Sequence, residues 1–398
     1  MTAQVAIFTS ASAVLAADSA VTISRSNGRN VYQGVEKIYP LSGSDPFAAL
    51  VYGSAEIADV PWGTLLSEFR RTSGGRSYPS MEEAAGRLVA FLSDRLRQRI
   101  DDEGETLQVR RIGALFSALY EQARNDLFHA IEENSEEFSS GRKDVGEELA
   151  LRLRSLAESE REAWAAADRL PGLTVARERE LHRAARPLVT QIRRQVLEDL
   201  SIERSAIRAM NDAALLSLTR CAPDAAGAAT EGGLVLVGFP DRAFWPEYIE
   251  LAFDGVGPSG IRTWPIDAGG CEGPHAVAVR AFAQHDGVAT IMNGVHPEFL
   301  PLLSDRLEAE GVSTDVISSA LRGAIDTWGA TQTHDILETL DVLPPPDLCE
   351  IAESLVSITA LWQRMRGTLQ TVGGTISVAV LTPGEPLRWA KRPVLTTT

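Results

Sequence analysis

The stretch Thr2-Ala3-Gln4-Val5-Ala6-Ile7-Phe8-Thr9-Ser10-Ala11-Ser12-Ala13-Val14-Leu15-Ala16-Ala17-Asp18-Ser19 decides the fold. Two short apolar runs, 3–7 and 13–17, are divided by small polar residues, a spacing that predicts two strands joined by a turn. Similar runs at 34–41 and 47–52 extend the pattern into an antiparallel meander. Turn chemistry falls between them at Ser26-Asn27-Gly28 and at Ser42-Gly43-Ser44-Asp45-Pro46.

Outward from this meander the period changes. From about Pro61, and clearly from Met81 onward, apolar residues fall three and four apart: Leu88, Phe91, Leu92, Leu96 and Ile100, then Ile112, Leu115, Phe116 and Leu119. A later series, Leu181, Ala185, Leu188, Ile192, Val196 and Leu200, runs through dense Arg and Glu. Such spacing collects apolar side chains on one face of a helix. Pro171-Gly172 supplies a break between helices, and the acidic runs around Glu132 and Glu158 read as solvated helix faces.

Low-complexity residues 222–233 predict a linker, followed by strands at 234–238, 248–253 and 261–266. Helices are predicted at 297–327 and 346–370, and a closing hairpin at 375–381 and 387–390 across Thr382-Pro383-Gly384-Glu385. This order predicts an α+β architecture in three stretches: 1–80, 81–217 as a helical insertion or enlarged helical layer, and 218–398.

The 398-residue chain is 44% hydrophobic and 23% charged, ordinary globular usage that provides material for a core. A net charge of -16 and a pI near 4.9 repel phosphate backbones and anionic lipid, so neither nucleic acid nor membrane is an expected partner. Cys221, Cys271 and Cys349 are widely separated with no CxxC spacing, and read as reduced cytoplasmic thiols. The six histidines have no ligand spacing such as HExxH, and no P-loop or GxGxxG occurs, so neither metal nor cofactor is expected. The apolar run from Ala3 to Ala17 lacks a basic leader and meets Asp18, which argues against a secretory signal.

Chemistry concentrates at the start. Methionine is commonly removed when a small residue follows it, so Thr2 is expected to carry a free α-amine. Hydroxyl and base then share one residue, and an amine of ordinary pKa about 7.7–8.0 can take the hydroxyl proton without a histidine.

Residues 2–7, the Val14-Leu15-Ala16-Ala17-Asp18-Ser19 segment, Val35-Glu36-Lys37-Ile38-Tyr39 and Leu50-Val51-Tyr52-Gly53-Ser54-Ala55 together resemble the proteasome β-type N-terminal-nucleophile hydrolases. Gly373-Gly374-Thr375-Ile376-Ser377-Val378 looks like that family's closing strand, so the resemblance brackets 2–70 and 232–392. It implies a four-layer αββα sandwich with an enlarged helical insertion. It also implies a catalytic set of Thr2 as nucleophile, Lys37 beside it, Asp18 holding the lysine, and the Gly53 N–H as oxyanion donor.

The implied activity is threonine-type hydrolysis of a peptide or another amide by a homo-oligomer, with an unfoldase or other partner at the helical insertion. The alternative reading is an inactive scaffold of the same fold. Two departures stand out: Leu369-Gln370-Thr371-Val372 replaces the family's distal Asp and Ser, and Asn293-Gly294-Val295-His296-Pro297 lacks its internal Ser. Asn293, His296 and Thr371 are the candidates to replace them.

Overall fold

The computed structural model describes residues 2–25, 28–32, 34–73, 77–140, 143–197, 202–222, 232–257, 259–365 and 373–392. Ser26 and Asn27 of the expected turn, 223–231 of the expected linker, and the Leu369-Gln370-Thr371-Val372 stretch lie outside them.

Strands β1 (Ala3–Phe8), β2 (Ala13–Ala17), β3 (Val21–Arg25), β4 (Gly28–Tyr32), β5 (Ile38–Pro40) and β6 (Phe47–Gly53) open the chain, followed by the short pair β7 (Glu56–Ile57) and β8 (Val60–Pro61). Helices α1 (Trp62–Ser73), α2 (Met81–Arg95), α3 (Arg97–Glu133), α4 (Ser135–Ser139), α5 (Val145–Ala166), α6 (Val175–Val196) and α7 (Arg204–Ser217) follow. Then come β9 (Gly232–Gly238), β10 (Glu247–Gly257), β11 (Gly260–Gly270) and β12 (Ala278–Ala283). The chain continues through α8 (Asp286–Asn293), α9 (Phe299–Ala309), α10 (Thr314–Val342), α11 (Pro345–Met365), β13 (Ser377–Leu381) and β14 (Arg388–Lys391).

The protein is therefore a mixed α+β chain with antiparallel sheets. Two compact units divide it, one made of Met1–Phe91, Gly232–Leu251 and Pro265–Thr398, the other of Leu92–Glu231 and Ala252–Trp264.

The first unit contains the meander. One five-stranded sheet has the order β12-β1-β2-β13-β14, and another the order β11-β10-β9-β6-β5. Side chains alternate between faces with period two. Ala6 and Phe8 of β1, Ala13, Leu15 and Ala17 of β2, and Ala379 and Leu381 of β13 therefore share a core with Ile38, Ala48, Leu50, Val235 and Val237 of the second sheet. The residues between them, Ala3, Val5, Ile7, Val14, Ala16, Val378 and Val380, pack on the other face against Leu348, Ala352, Leu355, Val356 and Ala360 of α11. That helix supplies them at three- and four-residue spacing, one stripe toward the sheet. Burial on both faces explains why β1, β2 and β13 read as near-continuous apolar runs rather than alternating ones.

The second unit is helical. Ile112, Phe116 and Ala123 of α3, Leu153 and Ala157 of α5, Val189 and Ile192 of α6, and Met210 and Ala214 of α7 make one core. Asp144 caps α5 through the Glu147 N–H (2.9 Å) and Thr174 caps α6 through the Arg177 N–H (3.3 Å), satisfying donors that a helix start leaves unpaired. Pro171-Gly172 falls in the connection between those two helices.

Several expectations need adjustment. The run at 34–41 forms a strand only over Ile38–Pro40: Gly34 adopts a φ of 94°, outside strand geometry, and the Val35 N–H bonds the Ser19 carbonyl rather than β6. The expected helix at 297–327 is two helices, α9 and α10, divided at Gly311 with a φ of 86°. Strand β12, helix α8 and the β3–β4 hairpin add to the elements read from sequence.

Leu15 is fully buried between the sheets, whereas Leu302 is 71% exposed on α9. Leu15→Ala should lower stability by about 2–5 kcal/mol and Leu302→Ala by no more than about 0.5 kcal/mol in equilibrium denaturation. Equal costs would contradict the sandwich core.

Candidate active site

Thr2 immediately precedes β1, Asp18 immediately follows β2, and Lys37 immediately precedes β5. β1 and β2 run antiparallel with Gln4 opposite Ala17, so the start of one and the end of the other meet. The Asp18 N–H donates to the Ala3 carbonyl (3.1 Å) and closes that end of the pair. In the other sheet the Val51 N–H donates to the Lys37 carbonyl (3.0 Å), which anchors the lysine backbone to β6.

Three of the four sequence-predicted residues come together here. Lys37 Nζ donates to Thr2 Oγ1 at 3.0 Å and to Asp18 Oδ1 at 2.7 Å. Thr2 and Lys37 are each 5% exposed and Asp18 is 1% exposed. A buried carboxylate needs its lone pairs occupied. Asp18 Oδ1 also accepts from the Ala3 N–H (3.0 Å), while Oδ2 accepts from the N–H groups of Ala20 (3.2 Å) and Gly373 (3.0 Å).

Burial pushes the Lys37 ammonium below its ordinary pKa, and the attraction and hydrogen bond of Asp18 oppose that shift without cancelling it. Desolvation outweighs the ion pair, as it commonly does for buried charges. The result is a cation aimed at a hydroxyl oxygen, with its proton held less firmly than that of an exposed lysine.

Gly53 ends β6 at a φ of 79°, in the left-handed region that suits glycine, and lies opposite Gly232 of β9. Among the described residues no hydrogen bond joins it to Thr2, Asp18 or Lys37. It stands two residues beyond Val51, whose own N–H is bonded to Lys37.

Other residues enter the site that the sequence reading did not single out. Gln4 is fully buried and its Nε2 donates to the Val51 carbonyl (2.7 Å), crossing from one sheet to the other beside the trio. Its signal was a lone polar residue inside the apolar strand AQVAIF. Gly373, which the sequence reading placed in the closing-strand resemblance without a role of its own, also brings its N–H to Asp18. Of the candidates to replace the family's distal side chains, Asn293 ends α8 and His296 stacks on Trp362 (centroids 5.6 Å apart). The His296 Nδ1 accepts from the Glu298 N–H (3.2 Å). Neither is hydrogen-bonded to the trio, and Thr371 is outside the described residues.

Among the described residues no group of three or more His, Cys, Asp or Glu side chains is placed to hold a metal ion, and no helix is long and apolar enough to cross a membrane.

The depressed Lys37 pKa carries a sign. Between the folded-state value and the ordinary 10.5, the unfolded chain holds a proton that the folded chain has released. Folding stability therefore rises with pH across that window and is flat in this term below it. Relative to Lys37→Met, the wild-type denaturation midpoint should rise as pH approaches 10.5 from below. A falling difference would mean that the ion pair, not burial, controls the lysine.

No family model and no curated protein matches the chain, so the meaning of the Thr2–Lys37–Asp18 trio has to come from its own chemistry.

Proposed function

We propose that the chain is a threonine-type amidohydrolase, acting on peptide bonds, built on the four-layer αββα sandwich of the N-terminal-nucleophile hydrolases. One observation carries the reading: the Thr2 hydroxyl faces an ammonium 3.0 Å away that is itself fixed by a buried carboxylate. Two sheets sharing a core, with α11 over the outer face of one, support the fold assignment. So does the contact of α1 with β5 of the other sheet.

The mechanism requires the Thr2 α-amine to be free, by loss of Met1 and of anything preceding it. That amine takes the hydroxyl proton as Oγ1 attacks the amide carbonyl carbon. Lys37 stabilises the developing alkoxide through its ammonium, and Asp18 holds the lysine in place. The carbonyl oxygen becomes an oxyanion, for which Gly53 supplies the backbone N–H. Collapse breaks the C–N bond, the ammonium of Thr2 protonates the departing amine, and an ester on Oγ1 remains. Water, deprotonated by the same amine, attacks that ester, releases the carboxylic acid and returns the hydroxyl its proton.

The same nucleophile serves non-peptide amides, because a fold does not fix a substrate. Peptides are the first choice on the strength of the resemblance, which also supports assembly as a homo-oligomer and a partner such as an unfoldase at the helical unit. Cys221, Cys271 and Cys349 are all free thiols, which suits a reducing cytoplasm.

Intact mass before and after exposure to a peptide α',β'-epoxyketone tests the nucleophile. The expected product is one adduct on Thr2 of a chain that begins at Thr2, absent in Thr2→Ala. Asp18→Asn should slow adduct formation by about 10²-fold, within the range for loss of a positioned acid–base group. A free Thr2 that resists several such probes would favour the scaffold reading, and activity on small amides but not peptides would change the substrate class.

A further inference from the structure

The residues facing Gly53 across the sheet constrain one peptide plane. Gly53 pairs with Gly232 and Tyr52 with Gly233. A Cβ on Gly232 would come within 2.4 Å of the Tyr52 carbonyl oxygen and 3.0 Å of the Ser54 nitrogen. A Cβ on Gly233 would meet the Tyr52 ring at 2.1 Å. The two glycines thus clear β9 for the Tyr52 carbonyl and for its ring, whose hydroxyl hydrogen-bonds to Glu250 of β10. Burial raises the Tyr52 phenol far above its ordinary pKa, so it keeps the proton it donates, and burial also raises Glu250.

A trans peptide is planar, with C=O and N–H pointing in opposite directions. The Tyr52 carbonyl lies against Gly232 on the β9 side, so the Gly53 N–H leaves β6 on the β5 side. The Val51 N–H leaves on that same side, where it meets the Lys37 carbonyl. The last β5–β6 pair is Ile38 with Leu50, so Gly53 projects past the end of that ladder.

We propose that Gly232, Gly233, Tyr52 and Glu250 are positioning residues that hold the Tyr52–Gly53 peptide in the orientation that turns its N–H toward the Lys37 side. This rests on the reading in which Thr2 attacks an amide and the Gly53 N–H receives the oxyanion. A methyl group at Gly232 forces the carbonyl away, and a peptide flip then puts a carbonyl oxygen where the oxyanion forms.

The test measures the rate and the saturation constant of Thr2 modification by the peptide epoxyketone, whose ketone passes through an oxyanion-like adduct. Gly232→Ala should lower the maximal rate by about 10²-fold, the effect of losing one oxyanion donor, and leave the saturation constant within a few-fold. Tyr52→Phe keeps the ring and loses the bond to Glu250, and should lower the rate about fivefold. A folded Gly232→Ala that reacts at the wild-type rate overturns the proposal. Should Gly232→Ala not fold, a wild-type rate in Tyr52→Phe does the same.

Failure of the hydrolase reading looks different, because the wild-type protein would then take no adduct at all. In that event a crystal structure of Gly232→Ala decides the clamp directly: a displaced or flipped Tyr52 carbonyl upholds it and an unmoved one ends it.

Discussion

Four donors converge on the Asp18 carboxylate: the Lys37 ammonium and the N–H groups of Ala3, Ala20 and Gly373. They come from the start of β1, the chain after β2, the residue before β5 and the approach to β13. One side chain therefore joins the segments that bracket the first unit's sandwich, including residues 355 apart in sequence. A buried carboxylate with no partners would cost several kcal/mol, so the donors do not arrive independently. Once Asp18 is buried, each must be present, and the Lys37 ammonium, with one N–H committed to the carboxylate, directs another at Thr2.

The surrounding sheets make that concentration possible. β1, β2 and β13 are apolar on both faces, packed against the second sheet on one side and α11 on the other. Such strands have no room for charge along their length. Charge can gather only where the strands stop, and Thr2, Asp18 and Lys37 all occupy positions one residue outside a strand. The low dielectric that tightens the ion pair also weakens the hold of Lys37 on its proton.

The strands at both ends of the chain and the helical middle were legible because apolar periodicity is a local signal. Residues 3–8 and 13–17 show it almost without interruption. Asp18 and Lys37 were legible through a resemblance, and their meeting with Thr2 follows from pairing β1 with β2 and β5 with β6. What escaped reading is non-local. β12 is an edge strand with three partly buried positions and no clean period, so its pairing with β1 is decided by tertiary contact. Gln4 looked like an ordinary polar residue until its carboxamide met Val51, 47 residues away. Gly232 looked like the end of a linker, since nothing in the sequence says that Tyr52 lies over it.

Buried charge alone does not mark a site of chemistry, as the helical unit demonstrates. There Arg262, fully buried, bonds Asp254 and the Arg220 carbonyl, and Arg111 pairs with the same Asp254. Each of those contacts satisfies charge or backbone, and the cluster is explained by what it holds together. The Asp18–Lys37 pair differs in its third member. The ion pair and the three backbone donors would remain complete if Thr2 were alanine, and among the described residues the Thr2 hydroxyl has only the lysine as partner. The Thr2 hydroxyl gives the buried ammonium its second acceptor and sits beside a cation at the start of a strand, the arrangement on which the proposed chemistry rests.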